Sequence, residues 1–528
     1  MGQHNGRGGN DAAPLTERLQ AMATSRRPDD IALPTFLGAY YRELPDFDVD
    51  DRTDADLYAA AVRHWELGLI RSEDAIDVAV LSPDRDRDGW KSDRSFVMIV
   101  TNDAPFMVDT VRIVLERHGV ATHLLVHPML DVCRDHDGRI TSIGGSAPDP
   151  RCEVEAWTQV EIDRCDGATV EALRDDLTTA VAQTHRVVAD FAPMRERMRA
   201  VEHLDPLLEW LADDNFVFLG SSRFEFDASG VHRVADGDLG LSVENEVVDP
   251  AIDLSAPPVS VARSTRESTV HRASRFTAIT VRHSTDDGAG HVDRFIGLLA
   301  STAYRQSTLS IPSVGDRARA VLGLAVDGAE THTGRSMRNV LETLPRDVVF
   351  ELDADQLALL VIEVVNLQER QIVRVIDVPE PVGTWSTVLV FLPKARFSAD
   401  LPERVAEFVG AAYGAPTTDI ESFIGTSSLA RITFTVQRSD GGVPDLDDLS
   451  DRVDALTTSW SDRLRLAAHR QLGDAVAQRL LVSFADALPD SYRSSVAPET
   501  AVTDLECLAA LLASDRPLRA ALTRDADA

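Results

Sequence analysis

The chain has 528 residues, of which 44% are hydrophobic and 26% charged, and its formal net charge is −33. This composition excludes wholesale disorder and predicts roughly three or four globular domains. The negative charge disfavours nucleic acid as a partner, because phosphate backbones are also anionic. No apolar run approaches the roughly 18 residues of a membrane-spanning helix, and the start lacks an apolar secretory signal. We therefore expect a cytoplasmic protein without a membrane partner.

The cysteines and histidines give little indication of a metal site. Cys133, Cys152, Cys165 and Cys507 are scattered and form no C-x-x-C pair, so we expect reduced, buried thiols. His123 and His127 lie four residues apart on a predicted strand, with Asp135 beyond them. A metal site is one interpretation, but histidines in the core or in hydrogen bonds are favoured. We assign no metal ligand.

The first part of the chain is predicted to be a disordered tail (1–13) followed by a helical segment (14–72). Within that segment, residues 51–70 place apolar side chains at helical spacing.

A first α+β unit is predicted over residues 73–192. SFVMIVT (95–101) has the pattern of a buried strand, and a helix over 104–118 follows with Asp103 as its predicted N-cap. Strand regions at 121–135 and 154–163 and a helix at 168–190 complete it. The predicted order is strand, helix, strand, strand, helix.

The same order recurs over residues 371–470. The predicted strands there are 385–393, 418–424 and 430–437, and the predicted helices are 401–412 and 446–467. Two copies of this order predict an α+β fold, with multiple ferredoxin-like βαββα sandwich modules plus helical segments.

The remaining chain is divided between a mixed α/β region (193–370) and a helical segment (471–528). The mixed region begins with a predicted helix at 195–213. Strand patterns occur at 216–226, 275–283 and 293–302, and predicted helices at 334–344 and 354–370. Residues 255–268, rich in Ser and Pro, are predicted to form a loop.

Motifs of dinucleotide chemistry are missing. No G-x-G-x-x-G stands between a strand and a helix, so no Rossmann domain is predicted in this chain. The two lysines, Lys91 and Lys394, are predicted to lie on the surface, which leaves no buried lysine for a general base. We assign no catalytic or cofactor-binding residue.

Several segments, taken in order from about residue 34 to 505, resemble the N-terminal ACT-domain region of large NAD-specific bacterial glutamate dehydrogenases. They include PTFLGAYYRELPDFDVDDRTDADLYAAAVRHW (34–65), TNDAPFMVDTVRIVLERHG (101–119), HLLVHPMLDVCRD (123–135), WLADDNFVFLG (210–220), LETLPRDVVFEL (341–352), LVFLPKARFSADL (389–401) and SSLARITFTV (427–436).

The resemblance implies a regulatory and assembly region whose ACT-like modules sense an amino-acid effector. The whole enzyme of the family converts L-glutamate, NAD and water to 2-oxoglutarate, ammonia and NADH. NAD would then belong to the full-length enzyme, with no cofactor in this chain. The partners would be a catalytic C-terminal region beyond Ala528 and further copies in a homo-oligomer. The alternatives are a free-standing amino-acid-binding protein and an unrecognised enzyme.

Two groups of residues are candidate sites. Asn102, Asp103 and Asp109 flank the turn between strand 95–101 and its helix, where ACT-like modules commonly meet an amino acid. The plain alternative is a helix cap at Asp103 and an ordinary exposed Asp109. The second group forms a basic cluster in an acidic protein and is a candidate anion or interdomain clamp, unless it only balances surface charge. Its members are Arg263, Arg266, His271, Arg272 and Arg294.

Overall fold

The computed structural model describes residues 13–45, 48–49, 51–144, 152–234, 237–244, 251–284, 289–325, 328–367, 370, 372–380, 385–438 and 442–514. All of the predicted tail except Ala13 lies outside these residues. The chain divides into two compact units. The first unit is Met1–Gln306 with Ile311–Ser313, and the second is Ser307–Ser310 with Val314–Ala528. No helix in the described part of the chain is long and apolar enough to cross a membrane.

The first unit contains the N-terminal helices and two sheets. Its helices are α1 (Leu15–Arg26), α2 (Leu33–Tyr40), α3 (Asp54–Gly68), α4 (Arg85–Asp88), α5 (Met107–Arg117), α6 (Gly167–Arg199), α7 (Pro206–Trp210) and α8 (Ser301–Arg305). Its strands are β1 (Asp77–Leu81), β2 (Ser95–Asn102), β3 (Thr122–Val126), β4 (Met129–Arg134), β5 (Ile140–Ile143), β6 (Cys152–Ile162), β7 (Phe216–Asp227), β8 (Gly230–Arg233), β9 (Leu239–Gly240), β10 (Val259–Glu267), β11 (Arg275–Ser284) and β12 (Gly290–Leu299).

The second unit is mainly helical and holds one sheet. Its helices are α9 (Val314–Leu322), α10 (His332–Thr343), α11 (Arg346–Glu351), α12 (Ala354–Leu367), α13 (Leu401–Tyr413), α14 (Leu446–Thr457), α15 (Trp460–Leu472), α16 (Asp474–Phe484), α17 (Asp490–Ser495) and α18 (Pro498–Leu512). Its strands are β13 (Arg374–Pro379), β14 (Trp385–Pro393), β15 (Thr417–Phe423) and β16 (Leu429–Gln437).

The first sheet is antiparallel, in the order β1-β2-β6-β4-β5, with β3 also paired to β6. Alternate residues of β2 point to opposite faces. Val97 and Ile99 belong to the core formed with α5 and α6, whereas Val100 and Trp157 belong to the core formed with α1, α2 and α3. Helices therefore cover both faces of this sheet.

The sheet of the second unit repeats this arrangement, in the order β13-β14-β16-β15. Val390 and Ile432 face the core that includes α13 and α14. Phe391 and Arg431 lie on the opposite face, beside residues of α10 and α12. The second unit has the predicted strand-helix-strand-strand-helix order, whereas in the first unit four strands, β3 to β6, lie between α5 and α6, where two were predicted. In both sheets a strand that was not predicted, β1 or β13, comes first and pairs with β2 or β14. The mixed architecture with antiparallel sheets confirms the α+β class.

The middle sheet is antiparallel, in the order β10-β11-β12-β7-β8, with β9 beside β7. The prediction of a loop over 255–268 is wrong, because Val259–Glu267 forms β10. Pro257 and Pro258 precede this strand, and its polar residues alternate with Val259 and Val261. The loop was predicted because the flanking prolines were given more weight than this alternation of polar and apolar residues, which is typical of a strand.

Two further predictions are wrong. Helix α6 runs unbroken through Pro193, where two separate helices were predicted. One lost main-chain hydrogen bond is tolerated there because the helix stays packed, with Val187, Met194 and Met198 buried. The expectation of four reduced thiols also fails. Cys133 and Cys152 are joined by a disulfide, since β4 and β6 place them directly opposite each other.

A buried ion network holds the end of the first sheet. The Glu155 carboxylate accepts hydrogen bonds from Arg71 (2.9 Å) and Arg134 (2.7 Å). Its side chain is 1% exposed, and that of Arg71 is 2% exposed. Burial would raise the pKa of Glu155, but the hydrogen bonds from Arg134 and Arg71 outweigh it and hold the pKa below its usual 4.5. The network thereby ties the segment after α3 to β4 and β6.

Substitution Glu155→Gln should destabilise the first unit by about 3–5 kcal/mol, because it leaves two guanidinium groups without their carboxylate. The measurement is the free energy of unfolding in urea. Glu153→Gln, at an exposed position of the same strand, is the matched control and should change it by less than about 0.5 kcal/mol.

The effect of Glu155→Gln should also depend on pH. A carboxyl group whose pKa is lowered on folding stabilises the protein above its unfolded pKa, and this contribution disappears as the pH falls through the folded pKa. The difference between wild type and variant should therefore shrink in acid below pH 4.5. Equal stability of the two proteins at neutral pH would contradict the role of the network.

Candidate functional site

The predicted ligand turn after β2 is partly occupied by the protein itself. The Asn102 side chain accepts a hydrogen bond from Arg71 (2.6 Å) and donates one to Asp74 (2.9 Å). Asp103 is exposed. It is not the N-cap of α5, because the helix begins at Met107 and Phe106 takes the cap position with φ 71° and no side-chain cap. The capping role predicted for Asp103 is therefore wrong.

Asp109 meets a residue of the other predicted group. It lies in the first turn of α5, accepts a hydrogen bond from Arg112 (3.2 Å) and has a carboxylate oxygen 3.9 Å from Nδ1 of His271. The rings of His271 and Phe106 are 4.6 Å apart, and both residues have positive φ, a conformation that costs a residue with a side chain about 1–3 kcal/mol. Burial and then Arg272 lower the pKa of His271, while Asp109 opposes them. The fold thus joins parts of two sites predicted separately.

The predicted basic clamp does not converge on one point. Arg272 donates to the Leu299 carbonyl (2.6 Å) and lies over the Tyr304 ring, while Arg266 is exposed. The strand register places Arg294 across from Thr280 and Arg263 across from Thr277. Thr277 and Thr280 are an odd number of residues apart on β11, so their side chains, and those of the two arginines opposite them, point to opposite faces of the middle sheet.

His123 and His127 also separate. His123 interacts with Asp163 (2.7 Å), whereas His127, just beyond the end of β3, interacts with the hydroxyl of Thr158 (2.7 Å). Each imidazole has its own protein partner, and the two do not share a site.

A cavity lies on the outer face of the sheet in the second unit. Its volume is about 280 Å³. It is lined by strand residues, by the loop between β15 and β16, and by residues of α10 and α12. The lining residues are Asn339, Val340, Thr343, Leu344, Val364, Phe391, Phe423, Gly425, Thr426, Ser427, Leu429 and Arg431.

Arg431 supplies the charge of this cavity. It is 8% exposed, and its Nη1 donates to the carbonyl of Thr343 at the end of α10 (2.6 Å). Its Nε donates to the hydroxyl of Thr433 (3.2 Å), and its guanidinium lies 5.0 Å from the centre of the Phe423 ring. Among the described residues no carboxylate lies within 4 Å of it, and Nη2 makes no hydrogen bond. A buried cation thus lacks an anion.

Desolvation lowers the pKa of Arg431 to about 10, and the more distant Glu421 opposes that shift. The group therefore remains charged at neutral pH. A buried charge without a counter-ion is costly, and an anion that binds in the cavity would remove this cost.

Arg431 was not among the predicted site residues, although the alternation of polar and apolar residues in ARITFTV (430–436) gave a signal. Arg431, Thr433 and Thr435 share one face of the strand, opposite Ile432 and Phe434. Reading that face as buried required knowledge that α10 covers it. The surface position predicted for Lys394 also needs refinement, because its Nζ donates to the carbonyl of Gly425 and fixes the loop at the cavity.

If the role of Arg431 is to bind a ligand, a substitution that removes its guanidinium group should not lower the free energy of unfolding of the ligand-free protein. Arg431→Met loses two hydrogen bonds, which destabilises the protein, but it also removes the desolvation penalty of a buried cation. Because these two effects oppose each other, the free energy of unfolding should change by less than about 1 kcal/mol. Urea denaturation measures it. A loss of about 3 kcal/mol or more would show a structural role instead.

Comparison with known proteins shows which family shares these elements. Residues 36–177 match the model of the glutamate dehydrogenase ACT1 domain, and residues 374–461 match the ACT2 domain. Residues 311–370 and 467–511 match helical motifs 1 and 2 of glutamate dehydrogenase. The ACT2 match begins at the first residue of β13, so it includes the leading strand.

Curated relatives agree with the family models. The NAD-specific glutamate dehydrogenase of Halomonas elongata is 30% identical over 93% of this chain and 33% of its own length. The proteins of the same name from Pseudomonas aeruginosa and Mycobacterium tuberculosis are 29% and 24% identical, over 96% and 94% of this chain and 34% and 31% of their lengths. The chain thus spans about a third of these relatives. It belongs to the family of large NAD-specific glutamate dehydrogenases, within their ACT-domain and helical-motif region.

Proposed function

We propose that this chain is the regulatory and assembly region of an NAD-dependent glutamate dehydrogenase, and that it binds a free amino acid in the cavity of the second unit. The whole cytoplasmic enzyme would convert L-glutamate, NAD and water to 2-oxoglutarate, ammonia and NADH. Its catalytic region and further copies in a homo-oligomer would be the partners. The buried guanidinium of Arg431, which faces the cavity without a carboxylate, is the observation that carries the proposal.

The cavity offers a matching group for each part of an amino acid. Nη2 of Arg431 would bind the α-carboxylate, and arginine holds a carboxylate more strongly and with more geometric specificity than lysine does. The ammonium group would lie at the C-terminal end of α10, where the helix dipole favours a cation. Thr343 is the last residue of that helix and lines the cavity.

The side chain of the ligand would be apolar and of moderate size. Val340, Leu344, Val364 and Phe391 line the rest of the cavity. A volume of about 280 Å³ is at the lower limit of ligand pockets, which are roughly 300–1,000 Å³. A dinucleotide such as NAD is several times larger than a free amino acid, so the cavity favours the amino acid.

The proposal treats both matched domains as ferredoxin-like modules in which the leading strand, β1 or β13, takes one edge of the sheet. In such modules the outer face of the sheet is the surface available to other elements. In the second unit α10 and α12 of helical motif 1 meet that face, and the cavity lies where they meet it. A ligand there would contact both family domains, as an effector must if it is to alter their packing.

The turn with Asn102, Asp103 and Asp109 is the weaker candidate for the same role. Asn102 is already held by Arg71 and Asp74, and Asp109 by Arg112. An incoming ammonium group would have to displace these partners. The second unit requires no such exchange, because Arg431 has free hydrogen-bond donors.

Two rival functions lead to different observations. A free-standing amino-acid-binding protein would bind the same ligand, but its coding sequence would not continue past Ala528 into a Gly-rich dinucleotide-binding region. An enzyme that uses the basic cluster would need its arginines to converge, but Arg263 and Arg294 lie on opposite faces of the middle sheet.

Calorimetry with a panel of amino acids tests the ligand and its position. We expect an apolar amino acid to bind, and Arg431→Lys to weaken binding about tenfold or more through loss of a charged hydrogen bond worth about 1.5–3 kcal/mol. Arg404→Met, at an exposed arginine of α13, is the control and should bind as wild type does. Asp109→Asn should also leave affinity unchanged.

The outcomes separate the two positions. Weaker binding by Asp109→Asn together with normal binding by Arg431→Lys would move the site to the turn after β2. If no amino acid binds at millimolar concentration, the sensing role fails for both positions.

The chain of 528 residues by itself should neither oxidise glutamate nor bind NAD, because it has no Gly-rich dinucleotide fingerprint. The measurements are NADH formation from glutamate and titration of the purified chain with NAD. Glutamate-dependent NADH formation by the purified chain would overturn this expectation.

A further inference from the structure

A pair of histidines on neighbouring strands of the middle sheet is directed at one buried carboxylate. His283 on β11 and His291 on β12 are directly opposite in the strand register, and their rings stack at 4.2 Å with an interplanar angle of 11°. Asp293 follows His291 by two residues and therefore points to the same face. No metal ligand was predicted here, because the sequence spacing of His283 and His291 does not show that the two residues are paired across strands.

The atoms that could bind a metal ion converge. Nε2 of His283 and Nε2 of His291 each lie 3.9 Å from Oδ2 of Asp293, and the three ligand atoms are all within 4.8 Å of one another. Nε2 of His283 is buried and makes no hydrogen bond to any described residue. With the ring proton on Nδ1, Nε2 would present a lone pair to the carboxylate, and both groups would then be acceptors that a cation could join.

Asp293 is completely buried and is held in place from its other side. Arg223 donates to both of its oxygens, at 2.8 and 2.9 Å. A carboxylate has about four lone-pair positions, so Oδ2 can accept from Arg223 and still bind a metal ion. Hydrogen bonds of this kind commonly orient carboxylates that bind metals.

An ion pair between Arg223 and Asp293, with the histidines as simple packing, is the plain alternative. It explains the burial of Asp293 but not why the buried imidazole nitrogen of His283 lacks a partner.

We propose that His283, His291 and Asp293 bind a divalent transition-metal ion of the zinc class. Two imidazole nitrogens and one carboxylate oxygen are a common ligand set for Zn²⁺, which binds nitrogen at about 2.0–2.1 Å. In a tetrahedral site such ligand atoms are about 3.3 Å apart, so each nitrogen–oxygen distance of 3.9 Å must shorten by roughly half an ångström. The stacked imidazole rings must also rotate, so that the in-plane lone pairs of both nitrogens meet at the ion. Water would complete the coordination. The ion would fasten β11 to β12.

This site is independent of the amino-acid cavity. It lies in the middle sheet, between the residues matched by the ACT1 and helical motif 1 models. Failure of one proposal therefore leaves the other unaffected.

The test uses the full chain, stripped of metal with a chelator and then desalted. Titration with Zn²⁺ against a chromophoric chelator gives stoichiometry and affinity, and Co²⁺ absorption reports tetrahedral nitrogen and oxygen coordination. We expect one equivalent to bind to wild type, and His283→Gln and His291→Gln each to weaken it more than a hundredfold. Circular dichroism checks that both variants are folded.

Two histidine controls exclude binding elsewhere. His232→Gln changes an exposed histidine of β8 in the same sheet, and His136→Gln disrupts the exposed group of Asp135, His136 and Asp137. Both variants should bind Zn²⁺ as wild type does. The proposal is overturned if wild type binds neither ion at micromolar concentration, if the His283 and His291 variants bind as wild type does, or if His136→Gln alone abolishes binding.

Discussion

The central strands of both matched domains are buried on their two faces, and this constraint governs the rest of the structure. Every residue of β2 from Ser95 to Thr101 is buried, as is every residue of β16 from Leu429 to Val436. A sheet that is buried in this way needs helices on both sides. One pair of helices comes from the domain itself, and the other face is covered by α1–α3 in the first unit and by α10 and α12 in the second. Any polar group on that second face must then find a partner within the protein or in a ligand.

The two domains meet this requirement differently. In the first, Glu155 lies on the second face and is neutralised by Arg71 and Arg134, so the charges are satisfied internally. In the second, Arg431 occupies the corresponding face but bonds only neutral oxygens and borders a cavity. The same architecture thus gives a structural ion network in one domain and an unsatisfied cation in the other. This difference is why we place ligand binding in the second domain, although the sequence directed attention to the first.

Local patterns predicted part of this structure, and long-range pairing determined the rest. Some elements were predictable because their apolar residues recur at one regular spacing along the whole element. These are β2, β14, α13 and the helices near 334–344 and 354–370. The leading strands β1 and β13 are five and six residues long, too short for a clear pattern. Contacts across strands, such as His283 with His291 and Cys133 with Cys152, depend on register, which no spacing in the sequence specifies. The meeting of Asp109 with His271 and the burial of Arg431 depend on packing between distant segments.

The central claim is that an amino acid binds between the outer face of the second sheet and α10. Hydrogen–deuterium exchange of the full chain, with and without a saturating apolar amino acid, tests it directly because it locates the effect in the sequence. The account predicts slower exchange in residues 339–344 and 423–433, and loss of that protection in Arg431→Lys. Protection confined to residues 102–112, or protection at 423–433 that persists in Arg431→Lys, would contradict it.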